Sequence, residues 1–94
     1  MEIIYAIQYH PQVISDDIPK ISPTWRVKIS TAIETKLKTA PDLYGKPLRR
    51  ALKGYRKLRV GDYRVVFLIE NRKVVIRAIV HRSTVYTVFA KRMK

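Results

Sequence analysis

The alternation of hydrophobic and polar residues along the chain predicts four β-strands. Successive side chains of a strand point to opposite faces, so a period of two, or a short apolar run, marks a strand. The four segments of this kind are residues 2–9, 55–60, 63–70 and 73–80. The turn residues Gly61-Asp62 and Asn71-Arg72 separate the last three segments, which therefore predict a meander of antiparallel strands.

Apolar residues three and four positions apart predict one main helix. This spacing runs over residues 23–39, as it does on the buried side of a helix that packs on a sheet. Ser22 and Pro23 form a start signal, a serine at the cap followed by a proline at the first helical position. Pro41 ends the helix, and residues 43–54 are expected to form a linker or a single turn.

Two shorter helices are also predicted. Residues 11–18 have apolar positions on one side, and Pro19 is expected to end this helix. Residues 87–94 are expected to form a short C-terminal helix, in which Val88 and Phe89 dock on the rest of the molecule.

Together these elements predict an α+β fold in the order β-α-α-β-β-β. Strands that follow helices favour a four-stranded, mainly antiparallel sheet with two helices on one face and a short C-terminal helix, which leaves the other face available. The 94 residues correspond to one small domain, and we expect residues 1–94 to form it. A hydrophobic content of 47% is ordinary for a globular protein and argues against a disordered basic tail.

The charge of the chain is concentrated in its second half. Residues 1–44 hold five Lys/Arg and five Asp/Glu, whereas residues 45–94 hold fifteen Lys/Arg against Asp62 and Glu70. The second half therefore carries the entire net charge of +13. Such a field favours a polyanionic partner, which can be a nucleic acid, an acidic protein or an anionic membrane. A membrane is the least favoured of these because the cations lie on strand-like sequence and not on an amphipathic helix.

The absence of cysteine limits the chemistry of the protein. It excludes disulfides, thiolate catalysis and cysteine-ligated zinc, and it fits a reducing compartment. Glu2 near the amino terminus does not fit a signal peptide, and no apolar segment has transmembrane length. We therefore expect a cytoplasmic protein without a metal cofactor.

Residues 55–64 predict a hairpin with one cationic face. Gly61-Asp62 is expected to be a two-residue turn, because glycine adopts positive φ at no steric cost. The register that follows places Arg59 opposite Arg64 and Lys57 on the same face. Two guanidinium groups opposite each other cost stability unless an anion or water lies between them, so this face predicts a phosphate site. The opposite face is expected to be apolar: Leu58, Val60, Tyr63 and Val65.

Five residues on or just after the meander can bind or process a phosphodiester: Lys57, Arg59, Arg64, Arg82 and Tyr86. Cleavage of RNA by its own 2′-hydroxyl needs a group that takes the hydroxyl proton, cations that stabilise charge on phosphorus, and a proton for the leaving 5′-oxygen. Guanidinium groups fit the non-bridging phosphate oxygens. Lys57 or Tyr86 can exchange protons without a histidine or a pair of carboxylates.

These residues stand in motifs that resemble the RelE/ParE toxin superfamily over most of the chain. The matching stretches are Leu52-Lys53-Gly54, the block from Leu58 to Val65 (LRVGDYRV), and His81-Arg82 followed by Val85-Tyr86. The resemblance implies a small α/β fold with a four-stranded sheet and an acidic cognate antitoxin that covers the basic surface. In the RelE branch it also implies cleavage of messenger RNA in the ribosomal A site without a metal ion.

The resemblance also implies residue roles and partners. Lys57, Arg59, Arg64, Arg82 and Tyr86 match the basic and tyrosine positions of the family and are expected to be catalytic. Further residues are expected to bind RNA: Arg49, Arg50, Lys53, Arg56, Arg77 and His81. The partners are then messenger RNA, the ribosome and the antitoxin, in a hetero-oligomeric complex that can bind operator DNA.

The register of the last strand leaves two alternatives for the fourth basic group. A strict two-residue turn at Asn71-Arg72 pairs Ile79 with Arg64 and puts His81 on the cationic face. A bulge, or a strand end after Ile79, would put Arg82 there instead. The resemblance favours Arg82.

Two other functions remain open for this sequence. The ParE branch, which inhibits DNA gyrase and does not cut RNA, shares the hairpin block but tends to lack the full set of basic residues and tyrosine. The other alternative is a non-catalytic nucleic-acid-binding module, whose affinity should fall steeply with salt.

Overall fold

The computed structural model describes residues 3–47 and 54–92, and these residues contain a five-stranded mixed sheet. The strands are β1 (Ala6–Tyr9), β2 (Lys46–Pro47), β3 (Tyr55–Val60), β4 (Tyr63–Glu70) and β5 (Lys73–His81). Their spatial order is β1-β5-β4-β3-β2. β1 runs parallel to β5, and the other neighbouring strands are antiparallel. The predicted α+β class and the mainly antiparallel sheet are confirmed.

The predicted number of four strands is wrong because β2 lies in the segment expected to be a linker. Lys46 and Pro47 pair with Lys57 and Arg56 on the outer edge of β3. Two residues are too few to show a period of two, and proline is accepted on an edge strand because it donates no ladder hydrogen bond. The pattern therefore contains no strand signal at this position.

The helical segment before the main helix is longer than predicted. Val13–Asp17 forms wide, π-type turns and Ile18–Lys20 a 3-10 turn. Pro19 lies in the first positions of that last turn, where the missing N–H costs nothing, and so does not end the segment.

The main helix, α1 (Pro23–Ala32), continues as wide turns over Ile33–Leu37 and ends two residues earlier than predicted. Arg26 stabilises its start: the guanidinium Nε donates to the carbonyls of Ile18 at 3.0 Å and Ile21 at 2.7 Å. A single turn, α2 (Pro41–Tyr44), follows before β2. No helix in the described ranges is long and apolar enough to cross a membrane.

The helices before β2 cover one face of the sheet and form the main core with it. Leu58 and Val65, which the hairpin register predicts to be apolar contacts, are buried in this core. Its other fully or nearly buried members come from both layers: Val13, Ile21, Ile29, Ile33, Leu37, Phe67, Val74, Ile76 and Ile79.

The C-terminal helix covers part of the opposite face, which corrects the prediction that this face is available. α3 (Val85–Arg92) begins two residues before the predicted helix 87–94. Phe89 is fully buried, as expected, and packs edge-on against Tyr55 with ring centroids 4.6 Å apart. Val66 lies on the cationic face by the strand alternation but is buried in this second core. The predicted cationic face is therefore half apolar.

A buried ion pair joins α3 to the helical segment that precedes α1. Asp17 and Arg92 form a bidentate pair in which Asp17 is 4% and Arg92 9% exposed. Asp17 Oδ2 also accepts a hydrogen bond from the Ile79 backbone N–H at 2.8 Å. The hydrogen bond from Arg92 to Asp17 raises the pKa of the guanidinium, although burial opposes this. The pair holds α3, the helix that carries Tyr86, against β5.

Candidate active site

The predicted hairpin is present with the predicted register. Arg59 lies opposite Arg64, and Gly61 has a positive φ of 58°. A side chain at Gly61 would also collide with the indole ring of Trp25, which packs over the turn and lies 5.6 Å from the Tyr63 ring. Glycine is thus required at this position for its backbone conformation and because it has no side chain.

A β-bulge in β5 decides which residue joins the cationic face. Phe67 pairs with Ile76 but Val66 pairs with Ala78, so Arg77 is an extra residue on β5. The bulge shifts the register by one, so that Arg64 pairs with Val80 and not with Ile79.

Arg82 therefore follows Val80 on the face of Arg64. His81 pairs with Tyr63 on the other face, and their rings meet edge-on at 6.2 Å. The backbone N–H of Arg82 donates to the Asp62 carbonyl at 2.8 Å, which extends the pairing past the end of β5. Of the two alternatives, the bulge is the correct one.

Four of the five predicted catalytic residues surround one cavity of about 480 Å³, which we call the basic cleft. They are Lys57, Arg64, Arg82 and Tyr86, and the remaining lining residues are His81, Ser83 and Val85. Lys57 Nζ lies 5.7 Å from the centroid of the Tyr86 ring. No carboxylate of the described residues lines the cleft.

The two arginines of the basic cleft are held at the hairpin turn. Arg64 donates through Nη1 to the carbonyls of Gly61 at 3.0 Å and Tyr63 at 2.9 Å. Arg82 Nε lies 3.5 Å from Asp62 Oδ1, in a pair whose side chains are 63% and 68% exposed. Solvent screens such a pair, so an entering anion can compete with Asp62.

His81 lies at the rim of the basic cleft with its Nδ1 engaged locally. Nδ1 accepts a hydrogen bond from the Ser83 backbone N–H at 3.2 Å and lies 2.8 Å from Ser83 Oγ. This ring supports the loop that leads into α3.

Arg59 is the predicted catalytic residue that does not line the basic cleft. It lines a neighbouring cavity of about 430 Å³ at the outer edge of β3, which we call the edge cavity. The two cavities share Lys57 and Arg64. The other residues of the edge cavity are Lys36, Tyr44, Lys46 and Leu58.

Arg56 and Arg77, which are also predicted to bind RNA, line neither cavity. Arg56 Nη1 donates to the Gly45 carbonyl at 2.9 Å, and Arg77 lies against Tyr55 with its guanidinium 5.9 Å from the ring centroid. Both side chains thus contact the protein away from the basic cleft. Arg49, Arg50 and Lys53 lie outside the described residues, as does most of the Leu52-Lys53-Gly54 motif.

Sequence reasoning missed four residues that the fold brings to the two cavities. Ser83 lies two positions after His81, and this closeness to a candidate histidine was the available signal. Lys36, Tyr44 and Lys46 are distant in sequence from the cationic hairpin or lie in the supposed linker, so no local pattern connects them to it. Among the described residues no group of three His, Asp or Glu side chains is placed to hold a metal ion.

Comparisons with known proteins give a family match and similar solved structures. A family model described as ParE toxin of type II toxin-antitoxin system, parDE, matches residues 7–86. A search of curated protein sequences finds no match.

Solved structures share the fold. The toxin–antitoxin complex RelBE2 from Mycobacterium tuberculosis contains a chain with a TM-score of 0.78 and 29% identity, over 86% of this chain and 94% of that one. A chain of the RelB–RelE complex from Methanococcus jannaschii has a TM-score of 0.66 and 19% identity, over 87% of this chain and 98% of that one. A chain of the DinJ–YafQ complex from E. coli has a TM-score of 0.60 and 18% identity, over 89% of this chain and 99% of that one. At these last two identities the likeness concerns the fold alone.

Proposed function

The chain belongs to the ParE toxin family of type II toxin–antitoxin systems, and we propose that it is a ribosome-dependent endoribonuclease that cleaves messenger RNA without a metal ion. The observation that carries the proposal is the basic cleft, in which three cations and a phenol surround one cavity. This set supplies the groups that attack by a 2′-hydroxyl needs. The RelE branch, which the sequence motifs resemble, implies the same reaction.

Arg64 and Arg82 bind the scissile phosphate in this proposal. Both line the cleft from one face of the sheet, and guanidinium groups make paired hydrogen bonds to non-bridging oxygens. The hydrogen bonds of Arg64 to two carbonyls and the exposed pair of Arg82 with Asp62 hold both groups near the turn before substrate arrives. The cations then stabilise the additional negative charge that develops on the phosphoryl oxygens.

Lys57 and Tyr86 are proposed to move the protons. One takes the proton of the attacking 2′-hydroxyl, and the other donates a proton to the departing 5′-oxygen as its bond to phosphorus breaks. Lys57 Nζ lies 5.7 Å from the centroid of the Tyr86 ring, and both residues line the cleft, so one bound phosphodiester can reach both groups. The Tyr86 ring also offers a surface on which a base can stack.

The first test replaces the phosphate-binding arginine. We expect Arg64→Ala to lower cleavage of a translated message by about 100-fold or more, because removal of one preorganised donor to a developing oxyanion has effects of this size. Primer extension on messages translated in vitro measures cleavage, and growth arrest on induction measures toxicity.

Arg72→Ala is the matched control, because it also removes one arginine from the meander but lies in the exposed β4–β5 turn outside both cavities. It is expected to cleave like the wild type. Intact cleavage by Arg64→Ala would contradict the role of Arg64. The absence of cleavage by the wild-type protein in the presence of ribosomes would contradict the proposed activity.

An antitoxin is the partner that the family implies, and the similar solved structures include toxin–antitoxin complexes. We propose that this antitoxin is acidic and partly disordered before it binds, since the chain carries a net charge of +13. A short acidic reading frame next to that of this protein is the expected observation. Co-purification of its product with this chain at low salt would test the interaction.

Inhibition of DNA gyrase is the second candidate function, and the ParE family match favours it. It requires a protein surface for the target and no phosphodiester chemistry. Inhibition of supercoiling by the purified protein, together with no messenger cleavage, would select this function. Arg64→Ala in the same supercoiling assay would then show whether the basic cleft takes part.

A further inference from the structure

We propose that the edge cavity is a second nucleotide subsite, which binds the phosphate and the base next to the scissile position. The ligand class is single-stranded RNA, and this identification rests on the proposed nuclease function. Lys36, Lys46 and Arg59 would bind the flanking phosphate, and Tyr44 would stack on a base.

The edge cavity adjoins the basic cleft, and the two cavities share two lining residues. Lys57 and Arg64 line both cavities, which have similar volumes of about 480 and 430 Å³. β2 pairs with Arg56 and Lys57 but not with the rest of β3, so the edge cavity opens beside Leu58 and Arg59. A single-stranded RNA that passes over Lys57 and Arg64 would therefore reach Arg59 without crossing another element of the described chain.

The charges of the edge cavity predict an anionic ligand. Five of the seven described residues that line it are cations, and no described carboxylate lines it. Lys46 stands directly opposite Lys57 in the β2–β3 register, and Arg59 directly opposite Arg64. Like charges at opposed positions lower the stability of a sheet, and an anion between them removes this cost.

Tyr44 gives the cavity a surface for a base. Its side chain is 45% exposed although it is large and aromatic, and Lys36 Nζ lies 5.5 Å from the ring centroid. An aromatic ring beside cations is the arrangement with which proteins bind single-stranded nucleic acid, because the ring stacks on a base and the cations bind the backbone.

The test measures the binding of non-cleavable RNA of two lengths. The probes are a fluorescent trinucleotide and a fluorescent octanucleotide with 2′-methoxy riboses, titrated by anisotropy at several salt concentrations. We expect Lys36→Ala/Lys46→Ala to weaken octanucleotide binding by about 10-fold and to reduce the salt slope by about 0.7 for each phosphate that the variant no longer binds. Tyr44→Leu should weaken binding by at least about 5-fold, because leucine cannot stack on a base. Trinucleotide binding should change little.

The matched control is Lys20→Ala/Lys73→Ala, which removes the same charge from exposed positions outside both cavities. Lys36→Arg/Lys46→Arg keeps the charge and should bind the octanucleotide like the wild type. Equal binding of the octanucleotide by Lys36→Ala/Lys46→Ala and by the control pair would overturn the subsite.

Cleavage of translated messages by the wild type is assayed separately. If the wild type does not cleave and octanucleotide binding still depends on Lys36 and Lys46, the proposed nuclease is wrong, and the edge cavity is an RNA-binding site that lies beside no scissile phosphate. If the wild type cleaves and binding does not depend on these lysines, the subsite is wrong and the nuclease stands.

Discussion

At the scale of single residues, Asp62 is expected to affect how strongly Arg82 binds an anion. The pair is long, at 3.5 Å, and both side chains are mostly exposed. Exposed pairs contribute at most about 1 kcal/mol to stability, so Asp62 positions Arg82 at little energetic cost. The same carboxylate pairs with one of the two arginines proposed to bind the scissile phosphate, so it would compete with that ligand.

Asp62→Asn is therefore expected to strengthen the binding of non-cleavable RNA by about 3-fold, because Arg82 loses its competing partner. Asparagine is accepted in tight turns, so the fold should persist. Anisotropy titration of the octanucleotide measures the affinity. Glu70→Gln removes the same charge at the next turn and is the control, and an equal gain in both variants would attribute the effect to net charge and not to competition.

Tyr9 provides a pH-dependent contribution to stability. It lines an apolar cavity of about 250 Å³ among isoleucine side chains. Burial, and in second place the negative charge of Glu34, raise its pKa above the ordinary value of 10.0. A raised pKa in the folded state means that this stabilisation is present below pH 10.0 and is lost as the pH rises through the folded-state pKa.

We expect Tyr9→Phe to reduce the loss of stability between about pH 8 and about pH 11, because phenylalanine has no group to ionise. Urea unfolding of both proteins at both pH values gives the free energies of unfolding. The comparison of variant with wild type removes the contribution of the many lysines, which titrate in both. An equal loss in both proteins would show that Tyr9 ionises as easily in the folded state as in the unfolded state.

At the scale of elements, the hairpin and the placement of α3 have different origins. The β3–β4 hairpin follows from its own residues, because a two-residue turn at Gly61-Asp62 fixes the register of everything behind it. The bulge at Arg77 does not follow from the Asn71-Arg72 turn, which by itself predicts the other register. Beyond the bulge, Ile79 pairs with Val65, and the Ile79 N–H donates a hydrogen bond to Asp17, which is distant in sequence.

The Asp17–Arg92 pair is expected to stabilise α3 and, through it, the position of Tyr86. Asp17→Asn should lower the free energy of unfolding by about 3 kcal/mol, because it leaves the buried Arg92 without a counter-charge. It should also lower messenger cleavage more than a defect of stability explains. Urea unfolding and cleavage rates measured well below the unfolding transition separate the two effects.

Glu34→Gln is the comparison for this variant, because it breaks the exposed Glu34–Lys38 pair, which lies outside α3 and β5. Its expected cost is about 0.5 kcal/mol or less, with cleavage unchanged. Cleavage by Asp17→Asn at the wild-type rate, in a protein shown to be folded, would contradict a positioning role for the pair.

At the scale of the whole molecule, the two halves of the sequence contribute different parts of the structure. The first half, which is electrically balanced, supplies the helices of the main core, and the second half supplies the meander, α3 and the net charge of +13. The uneven distribution of charge is apparent from counting the charged residues along the chain. Lys36 is an exception, because it comes from the first half and completes the edge cavity next to strands that follow it by about twenty residues.

Local patterns in the sequence are enough to predict the α+β class, the main helix, three antiparallel strands and the register of the cationic hairpin. These features depend on side-chain period and on turn chemistry, which act between residues close in the chain. Long-range packing, in contrast, selected Arg82 over His81, added β2, brought Arg59 to the edge cavity and placed α3 over Val66. Each of these outcomes depends on contacts between distant segments, such as Asp17 with Ile79 and Arg92 or Lys46 with Lys57, and a local pattern carries no information about such contacts.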